Sequence, residues 1–413
     1  MHDEATREQR RGLRNTSAMI GAAADAFDAA HYQGIMALYA APMEGRAVRM
    51  SSNGATVIDF VRCSYLGLDN HPGIIEGAAR AVVESGALHW SCARTRLNFS
   101  ILEQLEAELS HLFNANVVTF TTVLAANMSA LPLLASGHLT GGHKPIMVFD
   151  RLAHATLAHH KAVVAEETSV ETIRHNDLEA LEAVCKSHRQ VAYICDGVYS
   201  MGGHAPLEGL RALQDKYGLF LYIDDAHGIS IEGLDGSGFA RSVMRELGER
   251  TIVAASLGKG FGASGGILML GTNSQELIFR RFAIAHAFSA SMNTAAIGAA
   301  LASAEVHRTD ELLLRQRSLR QNLALLDNLL PTVQGATSLP IRTIRIGDDL
   351  LAVAAARHLL QVGFYTSAIF FPTVPRGEAG LRICLTSSHT QLQIRALADA
   401  VNGVKKDLEI RDL

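Results

Sequence analysis

Lys259 lies at the centre of a glycine-rich stretch, TIVAASLGKGFGASGGILMLG, that runs from residue 251 to residue 271. One apolar run ends at Ser256, and a second, residues 266–270, follows the glycines. Glycine allows positive φ and lets a bulky ligand approach the backbone closely. A lysine in partly desolvated surroundings loses proton affinity and becomes a usable amine nucleophile. We therefore predict that Lys259 holds an aldehyde cofactor as a Schiff base.

A second set of reactive residues is the motif Asp224-Asp225-Ala226-His227, which directly follows the apolar run ending at Ile223. A carboxylate at a strand end can pair with a protonated ring nitrogen and keep it protonated, as pyridoxal phosphate chemistry requires. His227 could then contact a phenolic oxygen on the same ring. A helix-capping Asp with a surface His is the alternative. A metal site would leave the lysine without a role, since the other possible ligands are dispersed.

Two further residues that could contact a ligand lie just beyond one predicted strand and within another. His154 follows an apolar run and could stack on a cofactor ring, or be a surface histidine. Arg382 interrupts the apolar run GLRICLTSSH, where a charged residue requires a partner. A substrate carboxylate would use the bidentate geometry of arginine, and a structural Asp or Glu is the alternative partner.

Residues 260–265, GFGASG, formally match the dinucleotide fingerprint GxGxxG. That fingerprint opens a helix whose N-terminus binds pyrophosphate, whereas here another apolar run follows. The context therefore argues against a nicotinamide enzyme.

The elements that must position these residues are short apolar runs separated by helix-length gaps. Continuous apolar strands alternating with helices indicate a mostly parallel sheet covered on both faces. The gap between Ser256 and Gly266 is too short for a helix, so we predict one antiparallel or irregular neighbour. Polar residues follow most of the runs, at the carboxyl ends where open α/β sheets bind ligands. The predicted strands are residues 117–121, 146–149, 191–195, 219–223, 252–256 and 266–270.

A chain of 413 residues favours more than one domain. We predict an N-terminal helical and hairpin segment at 1–60, a large cofactor-binding domain at 61–300 and a small C-terminal α+β domain at 301–413. The small domain is expected to contain strands at 341–346, 364–369 and 381–385, with helices at 349–362 and 389–407. A hairpin is predicted over 47–62, because Ser52-Asn53-Gly54 is a good turn.

Composition bounds the class of protein. The formal net charge of −4 and the lack of long like-charge blocks argue against nucleic-acid binding. The five cysteines form no CxxC pair, which favours a reducing compartment. Asp25 and Asp28 interrupt the apolar region that a signal peptide would need. Residues 115–142 are uncharged, but they contain several polar residues and Pro132, so we predict a buried strand and helix there rather than a membrane span. We expect a cytoplasmic protein with no membrane span and no bound metal.

Taken together, the motifs resemble those of the α-oxoamine synthase family. The resemblance rests on motifs that run in family order from about residue 60 to residue 390: YLGLDNHP (65–72), LAANMSAL (124–131), DRLAHATL (150–157), HND (175–177), DGVYSMGGHAPL (196–207), DDAHG (224–228), SLGKGFGASGG (256–266), FSASM (288–292), FPTVPRG (371–377) and LRICLT (381–386). It implies a pyridoxal phosphate enzyme of fold type I, with an aminotransferase-like large domain, that forms a homodimer with shared active sites.

The resemblance also implies a role for each matching residue. Lys259 would be the Schiff-base lysine and proton-transfer base, and Asp224 would pair with the pyridinium nitrogen. The other implied contacts are His227 and Ser200 with the phenolic oxygen, His154 stacked on the ring, Ser256 and the backbone of Thr122, Val123 and Leu124 with the phosphate, Ser289 from the other subunit, and Arg382 with the amino-acid carboxylate.

The chain departs from the family pattern around the substrate and the phosphate. Cys63-Ser64 replaces the usual Asn-Asp, and Trp90-Ser91-Cys92 replaces a Gly/Ser-rich stretch, so we count Cys63 and Trp90 as substrate-side residues. Val123 stands where a phosphate-loop glycine is common, and Ala290 where an intersubunit threonine is common.

The implied reaction is the decarboxylative condensation of an amino acid with an acyl thioester, of coenzyme A or an acyl carrier protein, giving an α-amino ketone. The departures suggest a specialised metabolite or signal as the product. Two alternatives stay open: a fold type I aminotransferase, and a non-catalytic pyridoxal phosphate-binding protein on this scaffold. The change at Cys63 favours the aminotransferase alternative, since it could alter which bond to the Cα of the amino acid breaks.

Overall fold

A computed structural model describes residues 16–335 and 337–410. The described residues form two compact units. The first comprises residues 67–199 and 204–313, and the second residues 16–66, 200–203, 314–335 and 337–410. The described part of the predicted N-terminal segment, residues 16–60, falls in the same unit as the C-terminal residues. The part of that segment before residue 16 lies outside the described residues.

The first unit is organised by a seven-stranded sheet. The first three strands of the chain are short and belong to the second unit: β1 (Ala40–Pro42), β2 (Ala47–Met50) and β3 (Thr56–Asp59). The strands of the seven-stranded sheet are β4 (Asn116–Phe120), β5 (Ile146–Asp150), β6 (Val170–Ile173), β7 (Val191–Asp196), β8 (Phe220–Asp224), β9 (Thr251–Ser256) and β10 (Gly266–Leu270). The order across the sheet is β4-β10-β9-β8-β7-β5-β6. All pairs are parallel except those of β10, which is antiparallel to β4 and to β9. The prediction of a mostly parallel sheet with an antiparallel neighbour after Ser256 is confirmed.

Helices cover both faces of this sheet. The first helix of the described residues, α1 (Thr16–Tyr32), belongs to the second unit. The helices of the first unit are α2 (Pro72–Ser85), α3 (Ser100–Phe113), α4 (Val123–Ala135), α5 (Ala155–Ala158), α6 (Lys161–Val164), α7 (Leu178–Ser187), α8 (Leu207–Tyr217), α9 (Phe239–Val243), α10 (Asn273–Phe282), α11 (Ile284–Ala287) and α12 (Thr294–His307). Alternate residues of one strand enter opposite cores: Val117 packs with Leu105 and Leu109 of α3, whereas Val118 packs with Ala130 and Leu134 of α4. Burying each leucine side chain contributes about 1.5–3 kcal/mol.

The second unit holds two small sheets. After the long helix α13 (Asp310–Leu329), which begins in the first unit, come β11 (Ile341–Gly347), α14 (Asp349–Gln361), β12 (Phe364–Tyr365), β13 (Ser367–Ile369), β14 (Ala379–Cys384) and α15 (Gln391–Asp407). The sheet orders are β1-β2-β3-β12 and β11-β14-β13. The predicted single strand 364–369 is therefore divided: its first part pairs in parallel with β3, and its second part pairs with β14.

The last helix of this unit, α15, begins with a capping box. Thr390 accepts a hydrogen bond from the Gln393 backbone N–H, and the Gln393 side chain accepts one from the Thr390 N–H. This reciprocal pair satisfies two donors that a helix start leaves open. It moves the helix start to Gln391, two residues after the predicted His389. Among the described residues, we find no helix with the length and apolarity needed to cross a bilayer.

Candidate active site

A cavity of about 240 Å³ opens at the edge of the large sheet where the parallel strands end. Because β10 is antiparallel to both its neighbours, β4 runs in the same direction as β9, so its carboxyl end meets the same edge. This is where open α/β sheets bind ligands. The cavity is lined by Thr122, Val123, Leu124, His154, Thr156, Asp196, Val198, Asp224, Ala226, His227, Ser256 and Lys259.

Lys259 reaches the cavity from the turn that joins β9 to β10. Residues 257–265 of this turn contain no helix, so the GxGxxG match at 260–265 does not open one. The Lys259 Nζ lies 2.8 Å from the His227 Nε2, which is hydrogen-bond distance. The lysine is half-buried, and its amine therefore stands at the cavity with an imidazole beside it.

Asp224, the last residue of β8, presents a buried carboxylate to the cavity. Its Oδ2 accepts a hydrogen bond of 3.0 Å from the Asn127 side-chain amide, and its Oδ1 accepts one of 3.1 Å from the Ala226 backbone N–H. Asn127 is itself oriented, because its Oδ1 accepts from the Tyr222 hydroxyl at 2.6 Å. This chain of bonds fixes the carboxylate in one orientation.

Asp196 is a second buried carboxyl group, at the end of β7 and directly beside Asp224 in the strand register. Burial raises the pKa of Asp196 well above its ordinary range, and the negative charge of Asp224 raises it further. Two neighbouring buried carboxyl groups cannot both ionise cheaply. The raised pKa of Asp196 therefore favours its protonated form.

His154 caps the short helix α5 just beyond β5. Its Nδ1 accepts from the Thr156 backbone N–H at 3.2 Å and lies 2.9 Å from the Thr156 hydroxyl, while its own backbone N–H donates to Asp196 at 3.2 Å. These contacts hold the half-buried imidazole against the cavity wall.

The start of α4 supplies unpaired backbone donors on another side of the cavity. Thr122 is the N-cap, and its hydroxyl accepts from the Ala125 N–H at 3.1 Å. Val123 and Leu124 are the first helical residues, and N–H groups at this position attract anions. Gly266 lets β10 begin close by, since an added Cβ would lie 2.4 Å from the Thr122 carbonyl carbon. Ser256 completes this side of the cavity.

Eight of the predicted site residues thus line one cavity, and five lie elsewhere. Trp90 and Ser289 belong to the first unit but not to the cavity wall. Trp90 packs against Phe99, with ring centroids 4.1 Å apart and the ring planes tilted by 32°. Ser200, Arg382 and Cys63 belong to the second unit. There the Arg382 Nε donates to the Ser200 carbonyl at 2.7 Å, and its Nη2 lies 3.7 Å from the Cys63 sulfur.

The structure bears on the alternative partner considered for Arg382. Within residues 16–335 and 337–410, no Asp or Glu oxygen lies within 4.0 Å of its guanidinium. The buried guanidinium lies 3.7 Å from the Cys63 sulfur instead, and Cys384, Tyr65 and Cys63 raise the pKa of Arg382 above its ordinary value. A structural Asp or Glu is therefore not its partner in the described part of the chain.

Four residues that line the cavity were not predicted as site residues: Thr156, Asp196, Val198 and Ala226. Asn127, which orients Asp224 from behind the cavity wall, was not predicted either. Asp196 carried a usable signal, since it ends a predicted strand as Asp224 does. Asn127 did not, because it lies on the second turn of a helix and only the tertiary fold places it beside β8.

Asp225 follows Asp224 but points away into a closely packed interior. Its Oδ2 accepts from the Ala240 backbone N–H at 2.9 Å, and a Cβ added at Gly228 would lie 2.0 Å from its Oδ1. Burial is the largest influence and raises the pKa of Asp225 to about 8 from an ordinary value of 3.8. The folded state therefore binds a proton at neutral pH that the unfolded chain releases.

This proton predicts how stability changes with pH. Between pH 4 and pH 8 the folded state holds more protons at this site than the unfolded state, so the free energy of unfolding falls as pH rises, by at most ~1.4 kcal/mol per pH unit. We expect Asp225→Asn, which keeps the acceptor for Ala240, to remove this contribution. Thermal melts from pH 5 to pH 8 should show the wild-type Tm falling relative to that of the variant. Parallel curves would contradict the protonated state.

A family model described as aminotransferase class I and II matches residues 55–401. The 8-amino-7-oxononanoate synthase of Maricaulis maris is 33% identical over 379 residues, covering 89% of this chain and 91% of that protein. The serine palmitoyltransferase of Bacteriovorax stolpii is 29% identical over 385 residues, covering 89% of this chain and 87% of that protein.

The fold agrees with these relatives. The solved serine palmitoyltransferase of Sphingomonas wittichii superposes with a TM-score of 0.84 at 20% identity, covering 96% of this chain and all of that one (100%). The 8-amino-7-oxononanoate synthase of Francisella tularensis gives 0.69 at 21% identity, over 85% of this chain and 98% of that one. The fold is thus the predicted fold type I, and the chain belongs to the aminotransferase class I and II family, among the α-oxoamine synthases.

Proposed function

We propose that this protein condenses an amino acid with an acyl thioester, with loss of CO₂, to give an α-amino ketone and a free thiol. Pyridoxal 5'-phosphate is the proposed cofactor. The observation that carries the proposal is the joint placement of the Lys259 amine and the fixed Asp224 carboxylate at one cavity. The names of the relatives support it, since both kinds of synthase join an amino acid and an acyl group.

The residues at the cavity fit pyridoxal phosphate by their chemistry. The amine suits the aldehyde of the cofactor, and the buried carboxylate suits its ring nitrogen. The two imidazoles suit the ring face and the phenolic oxygen. The helix N-terminus and the adjacent hydroxyls suit the phosphate. We assign Lys259 to the aldehyde carbon, Asp224 to the ring nitrogen, His154 to the ring face and His227 with Ser200 to the phenolic oxygen. Ser256 and the backbone of Thr122, Val123 and Leu124 are assigned to the phosphate.

The protein's own groups then have defined tasks. When bound, pyridoxal phosphate supplies an electron sink for the pair left at the amino acid's Cα. Lys259 removes the proton from that Cα and later returns one to the product carbon. Asp224 keeps the ring nitrogen positively charged, which makes the sink effective. His227, 2.8 Å from the Lys259 Nζ, orients the amine for both transfers.

Arg382 is our candidate for the amino-acid carboxylate. Its side chain is buried, it is positively charged, and it carries no Asp or Glu partner within the described residues. A guanidinium in this condition suits bidentate recognition of a carboxylate. Cys63 and Trp90 are proposed to shape the substrate side, and Ser289 to complete the site of the other subunit in a homodimer with shared active sites.

The thioester partner follows from the same reasoning. Either coenzyme A or an acyl carrier protein can present the acyl group, because the condensation uses only the thioester carbon. The departures from the family pattern at Cys63, Trp90 and Val123 favour a product of specialised metabolism or signalling over a housekeeping metabolite.

A stoichiometric assay tests the proposed reaction. Pure protein loaded with pyridoxal phosphate is incubated with single amino acids and a panel of acyl-CoA thioesters of increasing chain length. We expect CO₂ and free thiol in a one-to-one ratio, with an amino ketone detected by mass spectrometry. Repeating the panel with acyl carrier protein thioesters identifies the carrier. Keto-acid formation without CO₂ would instead establish an aminotransferase, and the absence of any product with both carriers would contradict the condensation.

A further inference from the structure

The segment just before residue 66 is held firmly against the end of β14. The Cys384 backbone N–H donates to the Phe60 carbonyl at 2.8 Å, and the Ser387 N–H donates to the Tyr65 carbonyl at 2.8 Å. These two bonds bracket Cys63 on either side. The backbone of the second unit therefore keeps Cys63 next to Cys384.

The Cys63 sulfur lies 3.7 Å from the Nη2 of Arg382 in β14. Cys384 is two residues further along this strand, so its side chain is on the same face of β14 as Arg382 and close to Cys63. The neighbouring cysteine is the largest influence on the pKa of each thiol. With the nearby charge of Arg382, it outweighs burial and lowers the pKa of Cys63 to about 4. Cys63 and complete burial raise the pKa of Cys384 well above its ordinary value. A thiolate thus sits beside a thiol.

This arrangement differs from that of the other cysteines. Cys92 is exposed, and Cys185 is buried with its pKa raised to about 11 by that burial. Cys195 is fully buried, and burial raises its pKa well above the ordinary value. Cys63, in contrast, is partly exposed, anionic and adjacent to a second thiol. Low pKa, access and a neighbouring thiol are the properties of cysteines that undergo reversible oxidation.

We propose that Cys63 and Cys384 form a reversible disulfide when the protein meets a hydroperoxide. The Cys63 thiolate attacks the outer peroxide oxygen, the O–O bond breaks, and the alkoxide or hydroxide that leaves takes a proton from water. Cys63 is then a sulfenic acid. The Cys384 sulfur attacks it, an S–S bond forms, and the sulfenic oxygen departs as water with the thiol proton. Two electrons pass from the two sulfurs to the peroxide, and a dithiol reductant returns them.

The disulfide has a consequence for Arg382, and this part rests on the proposed function. In the reduced protein the Cys63 thiolate is a negative charge 3.7 Å from the Arg382 Nη2. It competes with a substrate carboxylate for the same guanidinium. A disulfide sulfur is neutral, so oxidation frees the guanidinium and strengthens amino-acid binding.

Peptide mapping tests the modification without reference to activity. The holoenzyme is treated with about one equivalent of hydrogen peroxide, alkylated without reduction, digested and analysed by mass spectrometry. We expect a peptide pair joining Cys63 to Cys384, about 2 Da lighter than the two thiols and separated by dithiothreitol. Recovery of Cys63 unreacted, or as a sulfinic acid with Cys384 still reduced, would overturn the proposal.

Variants separate this pair from general oxidation. Cys384→Ser should leave Cys63 as an over-oxidised or sulfenic species with no crosslink, whereas Cys92→Ser should crosslink as the wild type does. If Cys384→Ser does not fold, Cys63→Ser provides the same test from the other sulfur. For the link to Arg382, the amino-acid KM of oxidised wild type should fall several-fold and recover on reduction. An unchanged KM in fully crosslinked enzyme would overturn that link.

Discussion

Lys259→Ala should abolish condensation, lowering kcat by at least ~10⁴-fold, because the chain loses its nucleophilic amine and its proton-transfer base at once. The amine lies 2.8 Å from the His227 Nε2 at the cavity, and among the residues lining that cavity it is the one amine side chain. The measurement is kcat for CO₂ release at saturating amino acid and thioester. Borohydride treatment of the wild-type holoenzyme should also fix the cofactor covalently to the peptide containing Lys259.

The matched control is a lysine away from the cavity. Lys144 is paired with Glu167 at the surface, with its Nζ 2.7 Å from the carboxylate, so Lys144→Ala should keep kcat within about twofold of the wild type. A Lys259→Ala variant that retains more than about one-hundredth of the wild-type kcat would refute the role assigned here. Borohydride labelling of a different lysine would refute it as well.

Asp224→Asn should lower kcat by about 10³-fold, which corresponds to ~4 kcal/mol of transition-state stabilisation. The amide is nearly the same size as the carboxylate but cannot hold a positive charge on the cofactor's ring nitrogen. Its NH₂ group would also confront the Asn127 side-chain amide that now donates to Asp224 at 3.0 Å. We expect the variant to bind pyridoxal phosphate and to react slowly, as measured by absorbance titration and steady-state kinetics.

The adjacent residue provides an unusually close control. Asp225→Asn makes the same chemical change one position along the chain, on a side chain that bonds to Ala240 rather than lining the cavity. Its kcat should stay within about threefold of the wild type, because Asp225 does not line the cavity and asparagine keeps the acceptor for the Ala240 N–H. If the two variants lose activity equally, or Asp224→Asn loses less than about tenfold, the pyridinium assignment fails.

Much of the fold and part of the site could be predicted from sequence, for identifiable reasons. Continuous apolar runs found six strands of the large sheet because buried parallel strands leave little room for polar residues. The apolar runs do not include β6, at the sheet edge, because its two central residues, Glu171 and Thr172, are exposed and polar. Lys259 and Asp224 were found because a reactive residue at a strand end is a local signal.

Long-range packing explains what the sequence did not show. Nothing near Asn127 in the chain indicates that it bonds to Asp224, since the two are brought together only by the packing of α4 on the sheet. The contact between Cys63 and Arg382, 3.7 Å apart, joins distant parts of the chain in the same way. The division of residues 364–369 into two strands depends on which neighbour each part meets, β3 or β14.

The position of β10 also determines when the site can assemble during synthesis. β4 lies at one end of the sheet order and joins it through β10, with Phe120 opposite Gly266. Domains form as the chain emerges from its N-terminal side, so β4 waits as an exposed edge while more than half of the first unit is still being made. The Thr122 side of the cavity and the Lys259 turn meet only when β10 is in place. A chain that stops before residue 266 would therefore lack the strand that joins β4 to β9 and holds these two sides of the cavity together.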